Sequence, residues 1–208
     1  MSSRVLPRLY LLTDRHQTLH RSLFSVITEA VNAGVRMVQI REKDLTTREL
    51  TSLCQQLSPL IKHHHGTIVL NDRIDLVLAL GADGVHLRTD SLPVSVARRL
   101  LGTGHLIGAS THSVEEARVA EAEGADFIVL GPIFDTPSKR AYGPPLGIQI
   151  LQETRRFLDL PIYAIGGITP SKVPDVLSAG AYGVAVISSI LQSPSIPDTT
   201  RKLLARLS

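Results

Sequence analysis

Apolar residues along this chain keep two rhythms that alternate from one end to the other. Short runs of consecutive apolar residues, each running out into polar ones, read as parallel strands covered on both faces. They lie at Leu9–Asp14, Met37–Lys43, Thr67–Asp72, Gly84–Thr89, Leu106–Thr111, Phe127–Phe134, Leu160–Ile168 and Gly183–Ile190. Between them, apolar residues recur at helical spacing over Leu23–Ala33, from Thr46 to the triplet His63-His64-His65, over Asp75–Gly81 and Pro93–Leu101, and from Ser113 to Gly124. The same spacing returns over Ile148–Phe157, Lys172–Gly180 and Asp198–Leu207, after a long polar loop from Asp135 to Gly147. Thr46-x-x-Glu49 and Ser113-x-x-Glu116 are capping boxes that open two of the helices. Gly34, Gly81, Gly124 and Gly180 each close a helix just before a strand.

Strand and helix alternate eight times with short connections, and no linker or shift in composition divides them. Alternating units imply a parallel sheet, and eight of them predict a single (β/α)8 barrel over residues 1–208. The length of 208 residues sits near the lower end for that fold, about 200. The competing architecture is an open doubly wound sheet, whose Gly-rich loop usually follows the first strand. Here the Gly166-Gly167 pair comes late, at a strand exit just before Thr169-Pro170, and the next strand exit carries Ser188 and Ser189. Backbone N–H groups bare of side chains at the first of these exits, and hydroxyls at the second, suit a phosphate.

Composition narrows the classes. With no Trp, 4% aromatic residues and a formal charge of only +3, the chain has little to stack on bases, which argues against nucleic acid. Small anionic substrates fit that mild bias. Cys54 is the single cysteine, so no intrachain disulfide can form, and its helical spacing marks a buried structural thiol. No stretch is long enough to span a bilayer and the N-terminus lacks a signal-type apolar core, so the expected compartment is cytoplasmic. The His triplet closes a helix, where imidazoles suit the dipole, and is read as structural. Assembly as a homo-oligomer is left open.

Polar residues collect at the strand exits: Asp14; Gln39, Arg41 and Lys43; Asn71 and Asp72; His86 and Asp90; Ser110 and His112; Thr136, Ser138 and Lys139. In a barrel that end is the functional face. Gln39, Arg41 and Lys43 alternate along one strand and so point the same way. Two cations and an amide converging on a mouth call for an anion between them, and a diphosphate has the charge; the alternative is ion pairing with Glu42 or Asp44. Asp72 adds a carboxylate, which beside phosphate suggests Mg²⁺. Ser110, His112 and Asp14 have no spacing that supports a catalytic triad.

Six stretches together resemble the thiamine phosphate synthase family: Leu9-Tyr-Leu-Leu-Thr-Asp14, Val38-Gln-Ile-Arg-Glu-Lys43, Val69-Leu-Asn-Asp-Arg73, Ala82-Asp-Gly-Val-His-Leu87, Gly131-Pro-Ile-Phe134 with Thr136-Pro-Ser-Lys139, and Ala164-Ile-Gly-Gly-Ile168. The resemblance covers essentially the whole chain and implies a (β/α)8 transferase of thiamine biosynthesis. Such an enzyme joins a hydroxymethylpyrimidine diphosphate to a thiazole phosphate and releases pyrophosphate, with Mg²⁺. Carried over by motif, Gln39, Arg41, Lys43, Asn71, Ser110 and Lys139 would hold the pyrimidine diphosphate and Asp72 the metal. Thr136, Ser138, Gly167, Ile187 and Ser188 would hold the thiazole phosphate. Arg41, Lys43 and Lys139 would be the catalytic cations.

The chain departs from that pattern once. Where the family usually shows Gly-Gln and two acidic residues, the second a metal ligand, this chain has Arg88-Thr89-Asp90-Ser91. Either Asp90 shifts to the metal beside Asp72, which is the expectation taken here, or Arg88 takes over phosphate charge. The departure also leaves open a thiazole tautomerase-like isomerase, or a phosphate-binding regulator on the same barrel. Against the isomerase, its expected acid/base histidine falls where this chain has Pro132.

Overall fold

The computed structural model of the protein describes residues 5–137, 140 and 143–208. Eight strands, β1 (Leu9–Leu12), β2 (Met37–Ile40), β3 (Thr67–Asn71), β4 (Gly84–Leu87), β5 (Leu106–Thr111), β6 (Phe127–Leu130), β7 (Ile162–Ile165) and β8 (Gly183–Val186), close into one barrel. Every neighbouring pair is parallel, and β8 returns to β1. The outer ring consists of α1 (Leu23–Asn32), α2 (Thr47–His63), α3 (Ile74–Leu80), α4 (Val94–Leu101), α5 (Val114–Ala122), α6 (Gln149–Arg155), α7 (Val173–Ser178), α8 (Ser188–Leu191) and α9 (Ile196–Leu207).

Each strand is mostly apolar because both its faces are covered, and its alternate residues go to different cores. Outward residues such as Leu9, Leu11, Val38, Ile40, Ile68 and Leu70 pack under the helices. Inward residues Tyr10, Met37, Val69, Phe127 and Tyr163 fill the barrel. Phe127 meets Tyr10 and Tyr163 edge-on at centroid distances of 5.6 and 5.5 Å, a favoured aromatic geometry. Gly108 makes room for it: a Cβ there would lie 2.2 Å from the Phe127 ring. Below this plug the Tyr163 hydroxyl donates to the Pro7 carbonyl (2.6 Å) and Tyr182 to that of Leu6, which closes the N-terminal end.

Several strands end sooner than their apolar runs. β8 was read to Ile190 and stops at Val186, because its ladder with β1 ends at the Leu11–Val186 pair. Past it the amides of Ile190 and Leu191 donate back to the Ile187 carbonyl and wind α8. β2 likewise stops at Ile40, and β6 at Leu130, just before Pro132, which has no N–H for a ladder. Asp14 is not a site carboxylate but a cap: its side chain accepts from the His16 amide (3.1 Å) and the Gln17 side chain (2.8 Å) over a short 3₁₀ turn, Arg15–Gln17. The capping box at Thr46–Glu49 forms as expected. His63 and His64 end α2, with His65 left-handed. Cys54 is buried inside α2, and burial pushes its thiol up to about 11.

Candidate active site

Above the aromatic plug the inward residues turn polar. The Tyr10 hydroxyl, held protonated because burial raises its pKa well above normal, donates to Gln39 Oε1 at 3.1 Å. That contact fixes the amide, so Gln39 Nε2 donates to Asn71 Oδ1 at 3.0 Å. On the next two strands, His86 Nε2 and Ser110 Oγ are 2.9 Å apart. His86 is 2% exposed, and burial pulls its pKa from 6.5 to about 4, with Asp72 opposing and Arg41 reinforcing, so the ring is neutral near pH 7. Its Nδ1 has no partner. A bare ring lone pair is cheaper to bury than an orphaned N–H, which places the proton on Nε2, donating to Ser110. The Ser110 hydroxyl then keeps its own proton to offer upward.

Arg41, Lys43 and Arg88 stand above that layer. The Arg41 amide donates to Thr13 Oγ1 (2.9 Å), and its guanidinium reaches no nearer than 3.9 Å to Asp14. The expected alternative partners, Glu42 and Asp44, are taken by Arg15 instead. Its Nη1 lies 3.3 Å from Glu42 Oε2, and Nη1 and Nη2 fork onto the two Asp44 oxygens at 2.5 and 2.7 Å. Arg15 and His16 together hold the Asp44 carboxyl well below its ordinary range.

The opposite wall is Gly131, Pro132, Thr136, Gly166, Gly167, Ile187 and Ser188. Gly167 sits at φ 62, and a Cβ on it would be 2.6 Å from the Asp135 carbonyl oxygen, so only glycine lets the two exits touch. Lys172 Nζ donates to the Gly167 carbonyl at 2.9 Å and lies 4.4 Å from the Phe134 ring centre. At the start of α8, Ser188 and Ser189 line the mouth, and their amides precede the first helical donors.

The two walls enclose a cavity of about 960 Å³ at the C-terminal end of the barrel, the size of pocket that small-molecule ligands fill. Of the residues picked from the sequence, Gln39, Arg41, Lys43, Asn71, Asp90 and Ser110 line one side; Thr136, Gly167, Ile187 and Ser188 line the other. Ser138 and Lys139 lie outside the described residues. Lys172 and Gln17 also line the cavity and were missed. Lys172 read only as the start of a helix, and nothing in its spacing signals the reach back to Gly167.

Asp72 and Asp90, expected as a metal pair, are both turned onto Arg88. Arg88 Nε lies 2.6 Å from Asp72 Oδ2, which also accepts from Asn71 Nδ2 at 3.3 Å, and Arg88 Nη2 lies 3.2 Å from Asp90. The other Asp72 oxygen takes the Ser91 hydroxyl. Both Asp72 oxygens are thus engaged, and a guanidinium fills the space between the two carboxylates. The donor set does not fit Mg²⁺ as it stands. Among the described residues, no group of three or more His, Cys, Asp or Glu could hold a metal.

A family model described as thiamine monophosphate synthase matches residues 9–190. A putative thiamine-phosphate synthase of Geobacter sulfurreducens is 48% identical over 199 residues, covering 96% of this chain and 93% of the relative. The thiamine-phosphate synthase of Roseiflexus castenholzii is 40% identical, over 93% and 85% of the two chains. Among solved structures, thiamine phosphate pyrophosphorylase from Pyrococcus furiosus superposes with a TM-score of 0.87 at 32% identity, covering 96% of this chain and 95% of that one.

Proposed function

This chain belongs to the thiamine monophosphate synthase family, and from that premise we propose how its single barrel, residues 1–208, does the work. It is a transferase of thiamine biosynthesis that forms thiamine phosphate from two small phosphorylated substrates. Gln39, Arg41, Lys43, Asn71, Ser110 and Lys139 hold the hydroxymethylpyrimidine diphosphate. Thr136, Ser138, Gly167, Ile187 and Ser188 hold the thiazole phosphate. One observation carries this reading: two walls suited to anions face each other across one cavity, above a floor of fixed amide and hydroxyl groups.

The reaction breaks the bond between the pyrimidine methylene carbon and the diphosphate oxygen, whose electron pair leaves with pyrophosphate. The methylene cation is captured by the thiazole nitrogen lone pair, which makes the new C–N bond. Such a step needs the leaving charge neutralised and the partners aligned, not a protein nucleophile. Arg41, Lys43 and Lys139 meet the departing oxygens. Tyr10 and Asn71 hold the Gln39 amide in one orientation, and His86 leaves the Ser110 proton free for a pyrimidine acceptor. The Mg²⁺ that the resemblance implies finds no open carboxylate at Asp72, and no step is drawn through it. The reading is of a cytoplasmic enzyme.

The test is pyrophosphate release on mixing both substrates. Isomerisation of the thiazole phosphate alone, or tight binding of either substrate without turnover, would replace this reading with the isomerase or the regulator.

A further inference from the structure

Arg88 leaves β4 at the rim of the same cavity that Arg41 and Lys43 line, and its side chain is 41% exposed. Its backbone amide donates to Ser91 Oγ at 2.8 Å, and Ser91 donates in turn to Asp72. Its Nε takes the second Asp72 oxygen at 2.6 Å. Asp72 is itself fixed, left-handed at φ 58 with its amide on the His86 carbonyl at 3.0 Å. The carboxylate is therefore a rigid anchor, and the guanidinium rests on it from the cavity side.

A guanidinium carries five N–H donors, and the two anchoring contacts engage only Nε and Nη2. Among the described residues nothing takes the remaining donors, which are left for an anion in the cavity. Asp90 is 69% exposed, so its pairing with Arg88 is screened by water and takes little of the positive charge. A divalent ion would need an Asp72 oxygen at about 2.0–2.1 Å, on lone pairs that Arg88, Ser91 and Asn71 already use. Ion and arginine are alternatives at one carboxylate.

We propose that Arg88, anchored on Asp72, is the resident cation of the diphosphate site, so that the chain binds diphosphate without a divalent ion. This rests on the diphosphate assignment made above, and its test separates the two. The probe is inorganic pyrophosphate, titrated calorimetrically into the full-length protein with chelator and then with excess Mg²⁺, for the wild type, Arg88→Gln and Arg41→Ala.

The wild type should bind pyrophosphate within about threefold under the two conditions. Arg88→Gln should bind at least about tenfold more weakly with chelator, the loss expected for a charge-assisted contact, and recover with Mg²⁺ because Asp72 is uncovered. Circular dichroism and unfolding midpoints check that the variants stay folded. Tenfold or greater Mg²⁺ dependence in the wild type would overturn the proposal. So would Arg88→Gln binding like wild type in chelator, or a weakened variant that Mg²⁺ fails to restore. If Arg41→Ala weakens binding in any of those cases, the diphosphate assignment survives alone. Unchanged binding in both variants would sink the assignment itself.

Discussion

Acidification should strike the protein through His86. The ring is buried between Tyr10 and Phe127, at centroid distances of 6.2 and 6.0 Å, and is held neutral, with a folded-state pKa of about 4 against 6.5 for a free histidine. The unfolded chain therefore binds a proton here that the folded chain refuses, between roughly pH 6.5 and 4. Stability from this residue is fully present above pH 6.5 and is lost as pH falls towards the folded pKa. The gap of roughly 2.5 units, at about 1.4 kcal/mol each, sets the full loss at about 3.5 kcal/mol, of which about 3 is reached by pH 4, where the folded ring is half protonated. His86→Gln keeps a donor for Ser110 and removes the titration. Urea unfolding of both proteins at pH 7 and pH 4 isolates the residue, because every other titrating group is common to the pair. The wild-type advantage in unfolding free energy should shrink by about 3 kcal/mol at pH 4. Parallel stability curves would refute the argument, and would mean that His86 is hydrated or finds a partner for its charged form.

Arg41→Ala should leave the unfolding midpoint near wild type, since its nearest carboxylate is 3.9 Å away, and lower kcat/KM by roughly 2–4 kcal/mol of transition-state stabilisation. A folded variant with unchanged kcat/KM makes Arg41 structural. Gly167→Ala places a methyl 2.6 Å from the Asp135 carbonyl oxygen, at a positive φ. It should cost about 1–3 kcal/mol in unfolding free energy and raise KM for the thiazole phosphate well beyond that for the pyrimidine diphosphate. Equal KM shifts for both substrates point to general damage rather than a phosphate cradle.

The barrel was legible because parallel strands under helices need no polar alternation, so Thr67–Asn71 or Phe127–Leu130 announces itself as an unbroken run. Strand ends were not. Ile187 to Ile190 sets two serines between two isoleucines and reads equally as more strand, and only the end of the β1 ladder at Val186 leaves it to wind a helix. Gln39, Arg41 and Lys43 do line one cavity, but β2 ends at Ile40, so strand alternation accounts for Gln39 alone. What Arg15 does with Glu42 and Asp44, 27 and 29 residues away, is not local. Nor is the hold of Arg88 on Asp72 across 16 residues. The departure at Arg88 was visible as a change of letters, but its meaning depended on where a neighbouring loop put one carboxylate.

Tyr10, Phe127 and Tyr163 stopper the barrel from below, with Leu6 and Pro7 drawn over the base. Among the described residues the vessel is closed at its base and open at the C-terminal end. Whatever seats itself on Gln39 and Ser110, at the bottom, waits for anything lodged nearer the rim to go first. Two reactants and two products share that one passage, and traffic through it is a queue rather than a free exchange. Arg41, Lys43 and Arg88 stand beside the passage, where, on the function proposed above, a departing polyanion would be both drawn off the carbon and detained on its way out. The same charges that would speed the bond breaking would then set how long the doorway stays blocked afterwards.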